Sequence, residues 1–363
     1  MTHSERRQGG HAAKIRRGMA QCLVLVLGMA IWTQQAHAQG IGIVTGSKTG
    51  TYIRFGRDIA KSAKKANLQL IVKESEGSLS NIRRMVSKEN AGLGIVQSDV
   101  LGFLNRSNDP EMRRIAHRLR LVFPFYNEEV HLFARKDIQR LSDLNGKRVV
   151  VGTKGSGNWL TANNILRLGN IQPGESLELA PSSAVSAVLT GKADAMFYIA
   201  GKPVTVFTRM RGLQKNPKYA HLVEQVHFLP LDDENILREY VPSSIEPSDY
   251  SWVSGNTPTV AVKAVLVGFD FSSRRNAYYR TRCKQMATLG KAIRANFPTL
   301  LRSGHPKWKE VDLEQEIGIW QRDRCASPNA PTTMAAAPTA QPKSANQEEL
   351  MKAIEIILTS DSQ

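Results

Sequence analysis

From Ile41 onward the chain alternates short apolar blocks with Gly-rich turns and longer stretches of helical spacing. Ile41–Val44 reads as a strand, Gly46-Ser47-Lys48-Thr49-Gly50-Thr51 as a turn, and the segment from Tyr52 to about Asn67 as a helix. Leu68, Leu70 and Val72 then alternate with polar neighbours, the period-two signature of a half-buried strand. Glu76-Gly77-Ser78 predicts a second turn, with Ser78 or Ser80 capping a helix that runs to about Lys88. Leu93, Ile95 and Val96 mark a third strand, and Gln97-Ser98-Asp99 opens another helix. Strands alternating with helices at this spacing predict an α/β domain with a largely parallel sheet.

A second unit follows the same logic without clear sequence repetition. A strand-like crossing is expected over 119–127, a new strand over 130–135, and a short helix and turn at Leu141–Lys147. Residues 148–151 read as a buried strand, 152–157 as a second Gly-rich turn, and 158–168 as a helix. A helix and strand are expected over 184–198, another strand over 260–267, and a helix from about Arg274 to Asn296.

The two ends differ from this pattern. Arg16-Arg17, an apolar run from Met19 to Trp32 and the small-x-small Ala36-His37-Ala38 have the three parts of an export signal, with cleavage expected after Ala38. That run falls short of the 20 or so residues a membrane span needs. Gln21 before Cys22 does not suit a lipoprotein signal. The expectation is a periplasmic protein that is not embedded in the membrane. Residues 326–345 are rich in Ala, Pro, Thr and Ser and read as a disordered linker. Within 346–363, Leu350, Ile354, Ile357 and Leu358 could line one face of a short amphipathic helix.

With 363 residues, 41% of them hydrophobic, there is material for two cores. The formal charge is +17. Residues 1–38 carry five Lys/Arg and one acid, so about +13 remains after export, a balance that favours anionic partners. The basic residues are dispersed and no Arg/Lys block alternates with aromatics, which with export argues against nucleic acid. An oxidising compartment permits a Cys283–Cys325 disulfide, although nothing in the sequence brings the two together.

Three predicted helix starts carry the candidate chemistry: after Gly46–Thr51, after Gly77-Ser78, and after Gly155-Ser156-Gly157. A helix N-terminus offers free N–H groups and the positive end of a dipole, which suit a carboxylate or phosphate. All three lie at the carboxyl ends of predicted strands, where ligands of open α/β sheets bind. The stretch from Gly42 to Thr49 looks like a phosphate-binding loop but has Ser47 where the second required Gly belongs. Lys48 could still serve an anion as a point charge. No nucleophile elbow, zinc-spaced His/Cys set or cofactor motif is present, so neither an enzyme nor a cofactor is expected. Glu128, Glu129 and His131 read as the start of a strand near a domain crossing rather than an acid/base cluster, and Asp194 as a residue that turns or caps the chain.

Taken in order, these motifs resemble the TAXI-type solute-binding subunits of TRAP transporters over about 41–309. The resemblance rests on Gly50-Thr51-Tyr52 with Gly56, on Glu76-Gly77-Ser78 followed by Asn81, and on Gly94-Ile95-Val96-Gln97-Ser98-Asp99. It continues with Leu141 to Val149, Gly152 to Gly157, Gly191 to Phe197 and Gly201-Lys202-Pro203. The chain departs from the family at Ser47-Lys48 and at Glu76, where the family usually has Gly. The resemblance implies a periplasmic binding protein fold of type II-like organisation: two α/β lobes joined by a two-stranded hinge. Lobe 1 is expected at 39–125 plus 256–325 and lobe 2 at 126–255. It also implies capture of a small organic anion, such as a glutamate-like amino acid or a di- or 2-oxocarboxylate, for delivery to TRAP membrane subunits. Ligand-binding candidates are Lys48, Thr49, Gly50, Thr51, Tyr52, Gly77, Ser78, Gln97 and Ser98 from the first lobe, and Ser156, Gly157, Asn158, Tyr198 and Gly201 from the second. Tyr52 and Tyr198 are expected to pack against the ligand body. The rival readings are an exported sensor or interaction protein that works without a transporter, and an exported enzyme using the same cleft.

Overall fold

The computed structural model describes residues 40–48, 50–87 and 91–327. The expected signal peptide, the segment 328–345 of the expected linker and the tail helix lie outside the described residues. In the first half, β1 (Ile41–Val44), β2 (Leu70–Lys73) and β3 (Ala91–Gln97) pair in parallel in the order β2-β1-β3. They are linked through helices α1 (Thr51–Lys64) and α2 (Ser78–Val86). Helices α3 (Val100–Arg106) and α4 (Pro110–Arg118) follow, the latter with Pro at its start and Asp109 capping the Glu111 N–H.

The chain then enters β4 (Leu119–Arg135), one uninterrupted strand of 17 residues in place of the two predicted segments. Its interior is almost wholly buried, so no polar alternation marks where one half of the molecule ends and the other begins. The second half pairs β5 (Arg148–Val150), β6 (Glu175–Leu177) and β7 (Ala195–Ala200) in the parallel order β6-β5-β7, with α5 (Gly157–Leu168) and α6 (Pro181–Leu189) between them. β8 (Val226–Phe228) and β9 (Val241–Ile245), with α7 (Glu234–Glu239) between them, complete this half. β10 (Thr257–Phe269) then returns to the first half, pairing antiparallel with β9, β4 and β3. The backbone thus passes between the halves along two paired strands, and Glu128 lies opposite Val262 where they cross.

Helix α8 (Ala277–Ser303) runs a full turn or more past its predicted end, with Pro298 inside it. Trp308, in the turn after α8, stacks on Phe55 of α1 with ring centroids 4.4 Å apart, and its indole N–H donates to Asp58 Oδ2 at 3.0 Å. This anchor fixes His305 to Glu310 above the start of α1. The packed body continues to Ala326, which is buried although the expected linker began there. Cys283 and Cys325 form a disulfide, with Cα atoms 5.1 Å apart.

One hydrophobic cluster fills the first half and the crossing strands and continues into the far half through α5, β5 and β7, and a second packs in the far half around Phe133, Phe207, Phe228, Tyr250 and Trp252. His131 is a buried member of this second region; its Nε2 lies 2.7 Å from the Tyr250 hydroxyl, and burial pushes its pKa down to about 4. It is therefore a neutral packing residue in mid-strand rather than at a strand start. Asp194 receives the Arg148 guanidinium in a bidentate pair, at 2.7 and 3.1 Å, and also the Arg148 N–H, pinning the starts of β5 and β7 together. No helix among the described residues is long and apolar enough to cross a membrane.

Candidate ligand-binding cleft

The carboxyl ends of β1 and β3 and the turns leading into α1, α2 and α5 meet around a cavity of about 910 Å³ between the two halves. Eleven of the fourteen sequence-predicted residues line it: Gly50, Thr51 and Tyr52 at the start of α1, Gly77 and Ser78 at the start of α2, and Gln97 at the end of β3. Ser156, Gly157 and Asn158 enter from the start of α5, and Tyr198 and Gly201 from β7 and the turn after it. The backbone N–H groups of Thr51, Tyr52, Ser78, Gly157 and Asn158 have no hydrogen-bond partner among the described residues. Helix starts of this kind form a natural anion cradle.

Gly77 takes φ +114°, a conformation that lets its backbone turn sharply into α2. A Cβ on Gly77 would lie 3.5 Å from the Gly157 nitrogen, so the α2 and α5 turns face each other directly. Gly157 itself is pressed still harder: a Cβ there would come within 2.1 Å of Gln97 Oε1 and 2.9 Å of Ser78 Oγ. The halves are closed onto one another at this point. Ser80 N–H donates across to the Gly155 carbonyl at 3.3 Å, and Thr161 Oγ1 to Asp99 Oδ2 at 2.7 Å. Tyr240 OH also donates to Asp99 Oδ2, at 2.9 Å.

Several predicted side chains do more structural work than direct lining. Ser78 Oγ accepts the Gln97 N–H at 3.0 Å, Ser156 Oγ caps α5 by accepting the Trp159 N–H, and Asn158 Oδ1 accepts the Ile199 N–H at 2.8 Å. They order the turns whose backbones face the cavity. Two predictions are corrected. Lys48 is exposed and outside the lining, because the turn carries it away from the start of α1. Ser98 points into the scaffold: its hydroxyl accepts the Lys263 N–H and its carbonyl accepts the Trp320 indole N–H at 2.7 Å. Thr49 lies outside the described residues. Glu76 lines the cavity but is held ionised, its pKa lowered by the Ser80 hydroxyl and by nearby Arg83 and Arg84 rather than by Lys48.

Sequence reasoning missed the charged part of the site. Arg54 of α1 and Arg209 of the far half line the cavity and form no ion pair among the described residues. Lys202 and Lys307 also line it, but they are paired with Asp249 at 2.8 Å and Glu310 at 2.7 Å. Lys202 also precedes a cis Pro203. The floor is Glu128, buried at the strand crossing; Tyr52 OH donates to its Oε2 at 2.8 Å and Tyr126 OH to its Oε1 at 3.3 Å. Burial raises its pKa to about 7, against the lowering effect of these hydrogen bonds and one from Gln97. Two adjacent acids inside a mostly apolar strand were the available signal. Among the described residues no cluster of His, Cys, Asp and Glu could hold a metal ion.

Two α/β halves joined by paired crossing strands, with strand ends and helix starts converging on the cleft between them, define a periplasmic binding protein fold. The chain belongs to the NMT1-like family, a class of such proteins, which matches residues 43–316. Solved structures resembling it include the putative sulfonate ABC transporter periplasmic sulfonate-binding protein SsuA from Methylobacillus flagellatus KT, at 11% identity over 74% of this chain and 75% of that one, TM-score 0.42. The periplasmic binding protein BugD is similar at 10% identity over 88% and 95% of the two chains, TM-score 0.43. MatC from Rhodopseudomonas palustris with bound malate is similar at 14% identity over 70% and 84%, TM-score 0.39. At these identities and scores the likenesses say nothing about this chain's ligand.

Proposed function

We propose that the protein is an exported receptor that captures a small organic anion in the cleft and presents it, closed, to a membrane transporter. The observation that carries this reading is the convergence of three helix starts on one cavity, with five backbone N–H groups that have no partner among the described residues. Arg54 and Arg209, which form no ion pair among the described residues, add two cations from opposite sides. A carboxylate bridging the α1, α2 and α5 turns would draw the halves together, because its partners come from both. The hinge would be the crossing of β4 and β10, with lobes of 39–125 plus 256–325 and of 126–255 on either side of it. The membrane transporter would be of the TRAP type, as the motif resemblance implies.

A thermal-shift screen of the purified protein against carboxylates, amino acids and 2-oxo acids tests the reading. A ligand that binds only the folded state at 100 times its Kd adds about 2.7 kcal/mol of stability. A clear upward shift with one acid class is the expected result. A well-folded protein that responds to none of them overturns anion capture.

A further inference from the structure

We infer that the captured molecule carries a protonated amine as well as its acid group, and that Glu128 receives the amine; this rests on the capture reading above. Glu128 is only 6% exposed, yet what exposure it has is to the cavity. Its two oxygens hold one hydroxyl partner each, from Tyr52 and Tyr126, and the Gln97 side chain adds a third hydrogen bond, while a carboxylate can accept about four, which leaves room for one more donor from the cavity. Among the described residues no Lys or Arg forms an ion pair with it.

The neighbouring acid makes the contrast plain. Glu129, on the opposite face of the same strand, receives the Lys202 N–H at 2.9 Å and has Lys307 nearby to offset its charge. Glu128 has neither. A buried carboxylate without a counter-charge is costly, and an incoming ammonium would offset that cost with charge-assisted hydrogen bonds. The surroundings suit a cation: Tyr52 and Tyr198 line the cavity beside Glu128, and Tyr126 packs next to it. A ligand with acid groups alone would either set a second negative charge against Glu128 or require it to take up a proton, so above about pH 7 the same residue would select against it. The ligand would then lie with its carboxylate on the helix starts and its amine on the cavity floor, which favours an amino acid over a dicarboxylate or 2-oxo acid.

Isothermal titration of matched pairs tests this: L-glutamate with 2-oxoglutarate, L-alanine with pyruvate, and L-leucine with 4-methyl-2-oxopentanoate, on the wild-type protein and on Glu128→Gln. The expected result is that at least one amino acid binds about tenfold or more tightly than its oxo partner, and that Glu128→Gln erases the preference while oxo-acid binding persists. If Glu128→Gln does not fold, Glu128→Asp serves instead: it keeps the charge but withdraws it, so the preference should shrink without disappearing. Oxo acids binding as tightly as amino acids, or a preference that survives Glu128→Gln or is undiminished in Glu128→Asp, overturns the amine inference and leaves anion capture standing. Binding of no member of any pair removes both.

Discussion

Asp99 and Glu128 are both acids held by tyrosine hydroxyls and pushed upward by burial, to about 6 and about 7, but they face different spaces. Asp99 sits at the seam between the halves. Both of its side-chain donors, Thr161 on α5 and Tyr240 after α7, come from the far half, and its Oδ1 is buried without a partner among the described residues. Glu128 takes its hydroxyls from α1 and from its own strand, and its remaining capacity opens on the cleft. The same chemistry thus ties the closed halves together in one place and stands ready for a ligand in the other. What differs is which element supplies the donors.

The largest test of this contrast removes the support behind the seam. Trp320, which holds the Ser98 carbonyl beside Asp99, lies in the tail that the Cys283–Cys325 bond anchors across 42 residues. On chain-entropy grounds Cys283→Ser should cost about 4 kcal/mol in denaturant unfolding. Ligand affinity should change far less, since neither cysteine lines the cleft; an equal loss in both would mean that seam and scaffold are one unit.

The next test uses pH. Asp99 has a folded pKa near 6, above the ordinary value, so the folded state binds the proton more tightly and stability from this group declines as pH rises between about 4 and 6. Glu128 should act likewise between about 4.5 and 7. His131 works in the opposite sense: its depressed pKa gives stability above about 6.5 that is lost as pH falls toward 4. Differences between wild type and single variants therefore separate the groups. The Asp99→Asn difference should change by roughly 2–3 kcal/mol over its window and be flat above pH 6, whereas the Glu128→Gln difference should keep changing to pH 7. Identical windows would erase the distinction between seam and floor.

A smaller effect is expected at the contact that closes the cleft. Gly157→Ala places a methyl against Gln97 and Ser78, an overpacking cost of about 1–3 kcal/mol that falls on the closed form. Titration should show ligand binding weakened roughly 10- to 100-fold with little change in the unliganded melting temperature. The smallest effect is at the floor: Tyr52→Phe removes a 2.8 Å donor to Glu128, which should cost about 1 kcal/mol and move the Glu128 window to higher pH. A window that stays put would mean that Tyr126 and Gln97 alone set the acid's behaviour.

Much of the frame was readable along the chain. The β1, β2 and β3 blocks, the Gly-rich turns before α1, α2 and α5, and the clustering of eleven predicted residues around one cavity follow from local rules: period-two strands, helix starts and turn glycines each leave a mark within a few residues. The disulfide was open on sequence, because the path that brings Cys325 back to α8 depends on how residues 304–325 wrap the first half. Lys48 and Ser98 show the same limit at shorter range, since a motif places a residue in a turn but not the direction of its side chain.

The charge pattern of the cleft is the part that local rules could not reach. Glu128 and Glu129 are neighbours with the same chemistry, and only the pleat of β4 separates the one that faces Tyr52 from the one that faces Lys202. Arg54 and Arg209 are 155 positions apart in the chain and share a cavity only because β4 and β10 fold the halves over each other. Hydrophobic periodicity and turn chemistry act over a few residues, so they specify the elements. Electrostatic fields and hydrogen bonds act through space, so the character of the site emerges when distant elements meet.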